Sequence, residues 1–150
     1  AFRVRLGPPE TPYDAWKSSE LGNAGLPDGA DPDADGLPIL LEYALLLEPD
    51  RPDVAGLPVA ALKAYVDGSR LHMIVTRDPL RNDVSLLVQT ANDLSGPWDT
   101  VAASLAGAPF SGPGYVGGDS SSPGLKSVEV RDTAPAAQSV RRFMRLKINH

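Results

Sequence analysis

The chain has no cysteine among its 150 residues. Disulfides, thiolate metal sites and cysteine nucleophiles are therefore excluded. Histidine is nearly as scarce, with only His72 and His150. His72 lies between Leu71 and Met73 in an alternating stretch, the setting of a packed or half-exposed strand residue rather than a general base. No G-x-S-x-G elbow, H-E-x-x-H pair or phosphate-binding loop occurs. Ser120, Ser121 and Ser122 have no base near them in sequence and read as loop. Paired carboxylates could serve a glycosidase, but most acids fall in turns or in the metal loop described below. Glu129 and Asp132 flank Arg131, where solvation or a surface ion pair is the expectation. The chain is thus expected not to be an enzyme.

Positive charge is also short. Lysine and arginine number 14 against 19 acids, a net charge of −5, with a pI near 4.9. Such a surface has no field to attract phosphate, so nucleic acid is excluded as a partner. No apolar run reaches transmembrane length; the longest, residues 37–47, is interrupted by Glu42. The chain opens on Ala1-Phe2-Arg3 without a leader pattern, so the expectation is an excised or processed segment.

Punctuation is abundant. Fifteen prolines and 14 glycines stand between short apolar stretches, the texture of many turns and short strands. Apolar residues make up 42%, and the length suffices for one domain with a proper core.

One stretch commits the chain to a specific chemistry. Asp31-Pro32-Asp33-Ala34-Asp35-Gly36-Leu37-Pro38-Ile39-Leu40-Leu41-Glu42 fits the calcium-loop pattern D-x-[DN]-x-[DN]-G-x5-E at every specified position. Calcium is a hard cation that takes about six to eight oxygens at about 2.3–2.6 Å. As the backbone curls, Asp31, Asp33 and Asp35 converge on one point. Gly36 permits the sharp turn because it has no Cβ to clash. Leu37 offers its carbonyl, and Glu42, in the first turn of the following helix, offers both oxygens. The expected ligands are Asp31, Asp33, Asp35, Leu37 and Glu42, and the expected cofactor is calcium. Ile39 stands at the ninth loop position, where such loops carry a polar residue or hold a water; a modest loss of affinity follows. Four carboxylates repel one another without metal, so calcium is expected to contribute folding free energy. Calcium dependence favours an extracellular or cell-surface location, where the ion is plentiful.

Residues 2–6 alternate Phe2, Val4 and Leu6 with Arg3 and Arg5, the pattern of a half-buried strand. Thr11 reads as a helix N-cap with Pro12 at the first helical position and Asp14 three residues after the cap. Tyr13, Trp16 and Leu21 are its packed side, and residues 22–30 are loop. Pro38 starts a second helix to about Leu47, with Leu40, Leu41, Ala44, Leu45 and Leu47 apolar and Tyr43 alongside; Pro49 and Pro52 stop it. Strands follow. Residues 59–66 and 70–77 flank Asp67-Gly68-Ser69, read as a hairpin turn. Further strands are predicted at 84–91, 98–103, 126–131 and 142–148, with Val84, Leu86, Val88, Val128, Val130, Met144, Leu146 and Ile148 inward. Residues 105–124 read as a long loop with a brief extended piece at Tyr115-Val116. The predicted fold is mainly β: an antiparallel β-sandwich, immunoglobulin- or fibronectin III-like, preceded by a small helical segment with an EF-hand-like loop. The expected division is a strand at 1–7, the helix–loop–helix segment at 8–50 and the sandwich at 57–150.

Residues 2–6 match Met144-Arg145-Leu146-Lys147-Ile148 in type at every position. Alternation of this kind is how any outer strand looks. Two sharper readings are the end of a preceding copy in a tandem array and a strand that completes a neighbour's sheet.

Residues 30–43 resemble the calcium loops of dockerin and thrombospondin type 3 repeats, most of all a bacterial version in which Asp-Pro-Asp-x-Asp-Gly-Leu-Pro is followed by Leu-Leu-Glu-Tyr-Ala. Val88-Gln89-Thr90-Ala91-Asn92-Asp93-Leu94 with Trp98, and Arg131-Asp132-Thr133-Ala134-Pro135 with Arg142-Phe143-Met144-Arg145-Leu146, are similar to recurring strands of a β-sandwich module that follows such loops. The resemblance implies a non-catalytic module of large secreted or surface-attached bacterial proteins, with Asp31, Asp33, Asp35, the Leu37 carbonyl and Glu42 as metal ligands. A dockerin has two loops and this chain has one, so cohesin binding is not carried over. The expected function is a calcium-stabilised structural unit of a surface protein, appendage or array, with strand addition as a route to assembly. Its expected partners are copies of itself or neighbouring modules. The alternative is a carbohydrate-binding accessory module of a secreted polysaccharide-degrading enzyme. Polysaccharide would then be the partner, with Trp16, Trp98, Tyr65 and Tyr115 as candidate stacking rings.

Overall fold

The computed structural model describes residues 10–138 and 141–150; the strand expected at residues 2–6 lies outside them. Helix α1 spans Pro12–Leu21. Thr11 caps it as expected, its Oγ1 accepting the Asp14 N–H at 3.1 Å, and Gly22 ends it in the left-handed region at φ 70. Its buried side chains are Tyr13 and Lys17; Trp16 is half-buried and Leu21 is not in the core. Lys17 is held by the Leu26 carbonyl at 3.1 Å and lies over the Tyr13 ring at 4.4 Å.

Helix α2 spans Ile39–Leu45, shorter than the predicted run from Pro38 to Leu47. Leu46 turns left-handed at φ 61, so the helix ends before either proline. Its face is also rotated from the expected one. Ile39, Glu42, Tyr43, Ala44 and Leu45 are buried, while Leu40, Leu41 and Leu47 are only partly covered. Tethers to the sheets set this rotation. The Tyr43 hydroxyl donates to Asp83 at 2.8 Å, Arg81 donates to the Tyr43 carbonyl, and Thr76 Oγ1 donates to the Leu45 carbonyl at 2.9 Å.

A short 3-10 turn at Val54–Gly56 leads into the seven strands of the described residues: β1 (Ala61–Tyr65), β2 (Gly68–Arg77), β3 (Ser85–Ala91), β4 (Asp99–Ser104), β5 (Tyr115–Gly117), β6 (Lys126–Arg131) and β7 (Phe143–Asn149). The architecture is mainly β, and all pairing among the described residues is antiparallel. One sheet has the order β1-β2-β6-β5 and the other β4-β3-β7. The first hairpin turns one residue earlier than predicted. Tyr65 pairs with Gly68, so Val66 and Asp67 form the turn and Gly68 opens β2 at φ 115. A glycine takes that angle without steric cost, which places it after the bend rather than within it.

The core lies between the two sheets, as in a sandwich. Met73, Val75, Val128 and Val130 come from one sheet and Leu86, Val88, Val101 and Ala102 from the other; Tyr13, Tyr43, Ala44 and Leu45 join the same cluster. Met144, Leu146 and Ile148 face it but are only partly covered; among the described residues no strand pairs with β7 on the side away from β3. The long loop is ordered around Arg77, which is buried and paired with buried Asp119. Asp119 in turn accepts the Phe110 N–H at 2.6 Å.

Asp132 is not the surface acid expected from sequence. It is fully buried and accepts two bonds from Arg142, at 2.8 and 2.6 Å. Arg142 also reaches Thr90 and Asn92 on the other sheet, so the pair clamps the end of β6 to β3. Burial alone would raise the Asp132 carboxyl, but the Arg142 guanidinium outweighs it and holds the group below the ordinary carboxylate range. Arg142→Met strands that charge, and unfolding in urea should show a loss of about 3–5 kcal/mol. The pH dependence has a defined sign. With a folded value below the unfolded one (about 3.9), the pair's contribution is complete above that pH and is lost as pH falls through the folded value. The variant should lack this acid-side loss; retention of both stability and acid profile would contradict the assigned clamp.

Candidate metal centre

The loop between α1 and α2 curls as the residue pattern requires. Asp31 Oδ2 accepts the Gly36 N–H at 2.9 Å and Asp31 Oδ1 the Asp35 N–H at 3.2 Å. Asp35 Oδ1 accepts the Leu37 N–H at 2.9 Å. Gly36 is left-handed at φ 89, and the Ile39 N–H closes the loop on the Ala30 carbonyl at 2.9 Å. Leu37 and Ile39 then turn their side chains into the interior, which fixes where α2 begins.

The fold brings the expected acids into two overlapping groups that share Asp35. Carboxylate oxygens of Asp31, Asp33 and Asp35 lie within 4.8 Å of one another, and so do those of Asp35, Glu42 and Asp53. The second group carries the physical weight. Glu42 is 0% exposed, and neither of its side-chain oxygens has a hydrogen-bond partner. Asp33 Oδ2 and Asp53 Oδ1 are likewise buried and unpartnered. Native proteins rarely leave such oxygens unsatisfied, and a buried carboxylate without a counter-charge is among the costliest groups to leave so. A cation among Asp35, Glu42 and Asp53 would satisfy the Glu42 and Asp53 oxygens, and Asp33 lies in the adjoining group that shares Asp35. The donors are all oxygen, which suits a hard cation. The residues therefore fit a bound metal ion.

Electrostatics agree. Burial, followed by the charges of Asp33, Asp35, Asp53 and Asp31, pushes the Glu42 carboxyl up to about 8. Asp33 is raised as well, burial first and its acidic neighbours after it. Leu37, the expected carbonyl donor, sits in the same turn with its side chain buried. Asp53 was not anticipated. It follows Pro52 in a proline-punctuated turn, 11 positions beyond Glu42, and belongs to no loop pattern. Asp83 was also missed. It accepts both the Tyr13 N–H at 2.9 Å and the Tyr43 hydroxyl at 2.8 Å, fastening both helices to the loop before β3.

The rings considered for sugar stacking are engaged elsewhere. Trp16 packs on Tyr13 and Tyr43, and Arg145 covers Trp98 at 4.1 Å. The Tyr65 hydroxyl binds Glu129, and the Tyr115 hydroxyl accepts the Asp119 N–H. His72 sits on β2 with Nδ1 3.0 Å from the Ala61 carbonyl. Among the described residues, no helix is long and apolar enough to cross a membrane.

No family model matches the chain, and comparison with curated proteins and with solved structures gave no significant match.

The raised Glu42 carboxyl predicts how the metal-free protein responds to pH. Its folded value lies above the ordinary 4.5, so the folded state keeps a proton that the unfolded chain releases. This contribution to stability is complete below pH 4.5 and is lost as pH rises toward about 8. In chelator, Tm should fall across that window, and Glu42→Gln should flatten the fall. A Tm independent of pH in the wild-type protein would contradict the burial of Glu42.

Proposed function

We propose that the chain is a non-catalytic structural module of an extracellular or cell-surface protein. In this reading calcium, held by Asp31, Asp33, Asp35, the Leu37 carbonyl and Glu42, locks the helical segment onto an immunoglobulin- or fibronectin III-like sandwich. The observation that carries the reading is the fully buried, unpartnered Glu42 carboxylate at the twelfth position of the loop pattern. Resemblance of residues 30–43 to dockerin and thrombospondin type 3 loops supports calcium over other hard cations. The sheet orders support the sandwich type. β1-β2-β6-β5 follows the A-B-E-D order of immunoglobulin domains, and β3 and β7 stand where C and F stand.

On that assignment no described strand takes the G position beside β7. The adjoining surface is apolar: Leu40 and Leu41 of α2 face Leu146 and Ile148 of β7 across a groove rimmed by Asp28, Gly29 and Pro38. Residues 2–6 carry the alternation that such a groove accepts, apolar on one face and basic on the other. The module accordingly assembles by strand addition, with residues 2–6 of one copy completing the sheet of the next.

Two experiments test these parts separately. Calcium should raise Tm by mass action, and Glu42→Ala should greatly weaken calcium binding in a calorimetric titration; an unchanged titration rules out the site. Size separation with light scattering in calcium should give species larger than a monomer, and deletion of residues 1–6 should return the monomer. A deletion that alters neither size nor stability rules out strand exchange.

A further inference from the structure

We infer that Asp53 is a direct ligand of the ion proposed above, a donor supplied from outside the loop that clamps the connection to the sandwich. The inference rests on the proposed metal reading and extends it.

Asp53 reaches the centre from the turn that follows α2. One of its oxygens lies within 4.8 Å of oxygens of both Asp35 and Glu42. Its two oxygens play different parts. Oδ2 accepts the Glu48 N–H at 2.6 Å, which fixes the carboxylate plane. Oδ1 is buried and has no partner, in the same state as both oxygens of Glu42. The Asp53 N–H also donates to Asp35 Oδ2 at 3.3 Å, so backbone and side chain both dock on the loop. Two carboxylates placed together with unpartnered, buried oxygens repel, and packing alone does not compensate that arrangement; a shared cation does.

The loop itself leaves room for this donor. Its ninth position is Ile39, 0% exposed and committed to the interior, so no side-chain oxygen comes from there. The loop residues offer six oxygens if Glu42 gives two, at the lower end of calcium's preferred number. Asp53 adds another on the Glu42 side, together with a fifth negative charge. The consequence is mechanical. The Gly56 N–H bonds to the Asp53 carbonyl at 2.9 Å, and the Leu57 N–H to Val54 at 3.1 Å, and Leu57 then packs on the core ahead of β1. The ion thus joins the loop, α2 and the strand-ward connection at one point.

The test is calorimetric titration of the full chain with calcium chloride after chelator removal, on five proteins, Glu42→Ala among them. Wild type should bind. Asp53→Ala should bind more than roughly 100-fold more weakly, beyond the range of about 10- to 100-fold for losing an outer-shell partner at a metal site. Asp53→Asn, which keeps the shape and one carbonyl oxygen, should fall between them. Asp50→Asn, which removes an exposed neighbouring charge, should bind as wild type does. Hydrogen exchange is the second readout: calcium should slow exchange at Gly56 and Leu57 in wild type and not in Asp53→Ala. Wild-type affinity and protection in Asp53→Ala overturn the assignment, while loss of binding in Glu42→Ala leaves the metal reading standing. Equal weakening by Asp50→Asn also overturns it, since the effect is then general charge. Absence of binding in the wild type overturns both.

Discussion

A carboxylate cannot sit in a protein interior without a partner, and the organisation of the first third of this molecule follows from that constraint at Glu42. The residue is 0% exposed with both oxygens unpaired. Desolvating such a group costs several kcal/mol even after relaxation. The chain has two ways to meet the cost. It can keep a proton, as the rise to about 8 indicates for the metal-free state, or it can bind a cation among the surrounding acids. The choice depends on conditions, so the stability of the helical segment is tied to the contents of the solution.

Helix geometry carries this constraint to the sheets. Adjacent helical residues point about 100° apart, so Glu42 can face the acids while Tyr43 faces the sandwich. The Tyr43 ring stacks near Tyr13 at 4.8 Å and Trp16 at 5.3 Å, and its hydroxyl ends on Asp83. Asp83 also holds the Tyr13 N–H. Any displacement of Glu42 therefore moves a ring packed in the main core. The acidic loop, the aromatic cluster and the loop before β3 act as one mechanical element, and the proposed ion would stiffen that element rather than a detached lobe.

Much of this was legible in the residues. The Thr11 cap, the inward Val128 and Val130, and the edges of β6 follow from local rules that tertiary structure did not override. The clustering of Asp31, Asp33, Asp35 and Glu42 was legible because these acids sit at fixed offsets in one curled loop, which a pattern records. Asp53 was not, since it reaches the site through the path of the chain after α2 and no offset encodes that path. The end of α2 was misplaced for a related reason. Proline marks where a helix must stop, but Leu46 stopped it sooner by turning left-handed. Asp132 looked like a surface acid beside Arg131, and its partner Arg142 stands ten residues further on. Burial of that pair depends on β6 and β3 lying in facing sheets, a relation that no single strand states.

The presence of carboxylates at the joint, beside the apolar packing of Tyr13, Tyr43, Ala44 and Leu45, has a physical basis. Helices α1 and α2 have only ten and seven residues, too few to enclose a core of their own. With no cysteine in the chain, a disulfide cannot hold them. Small units that lack both resources are commonly held by a metal. A further apolar contact would serve less well, because it would hold the segment in place under all conditions. Acids that repel when empty would, with the proposed ion bound, make attachment conditional. The proposed surface location gives that condition a meaning: calcium is scarce where such a chain is made and plentiful where it would act. The same acids that loosen the joint at synthesis would then close it at the destination.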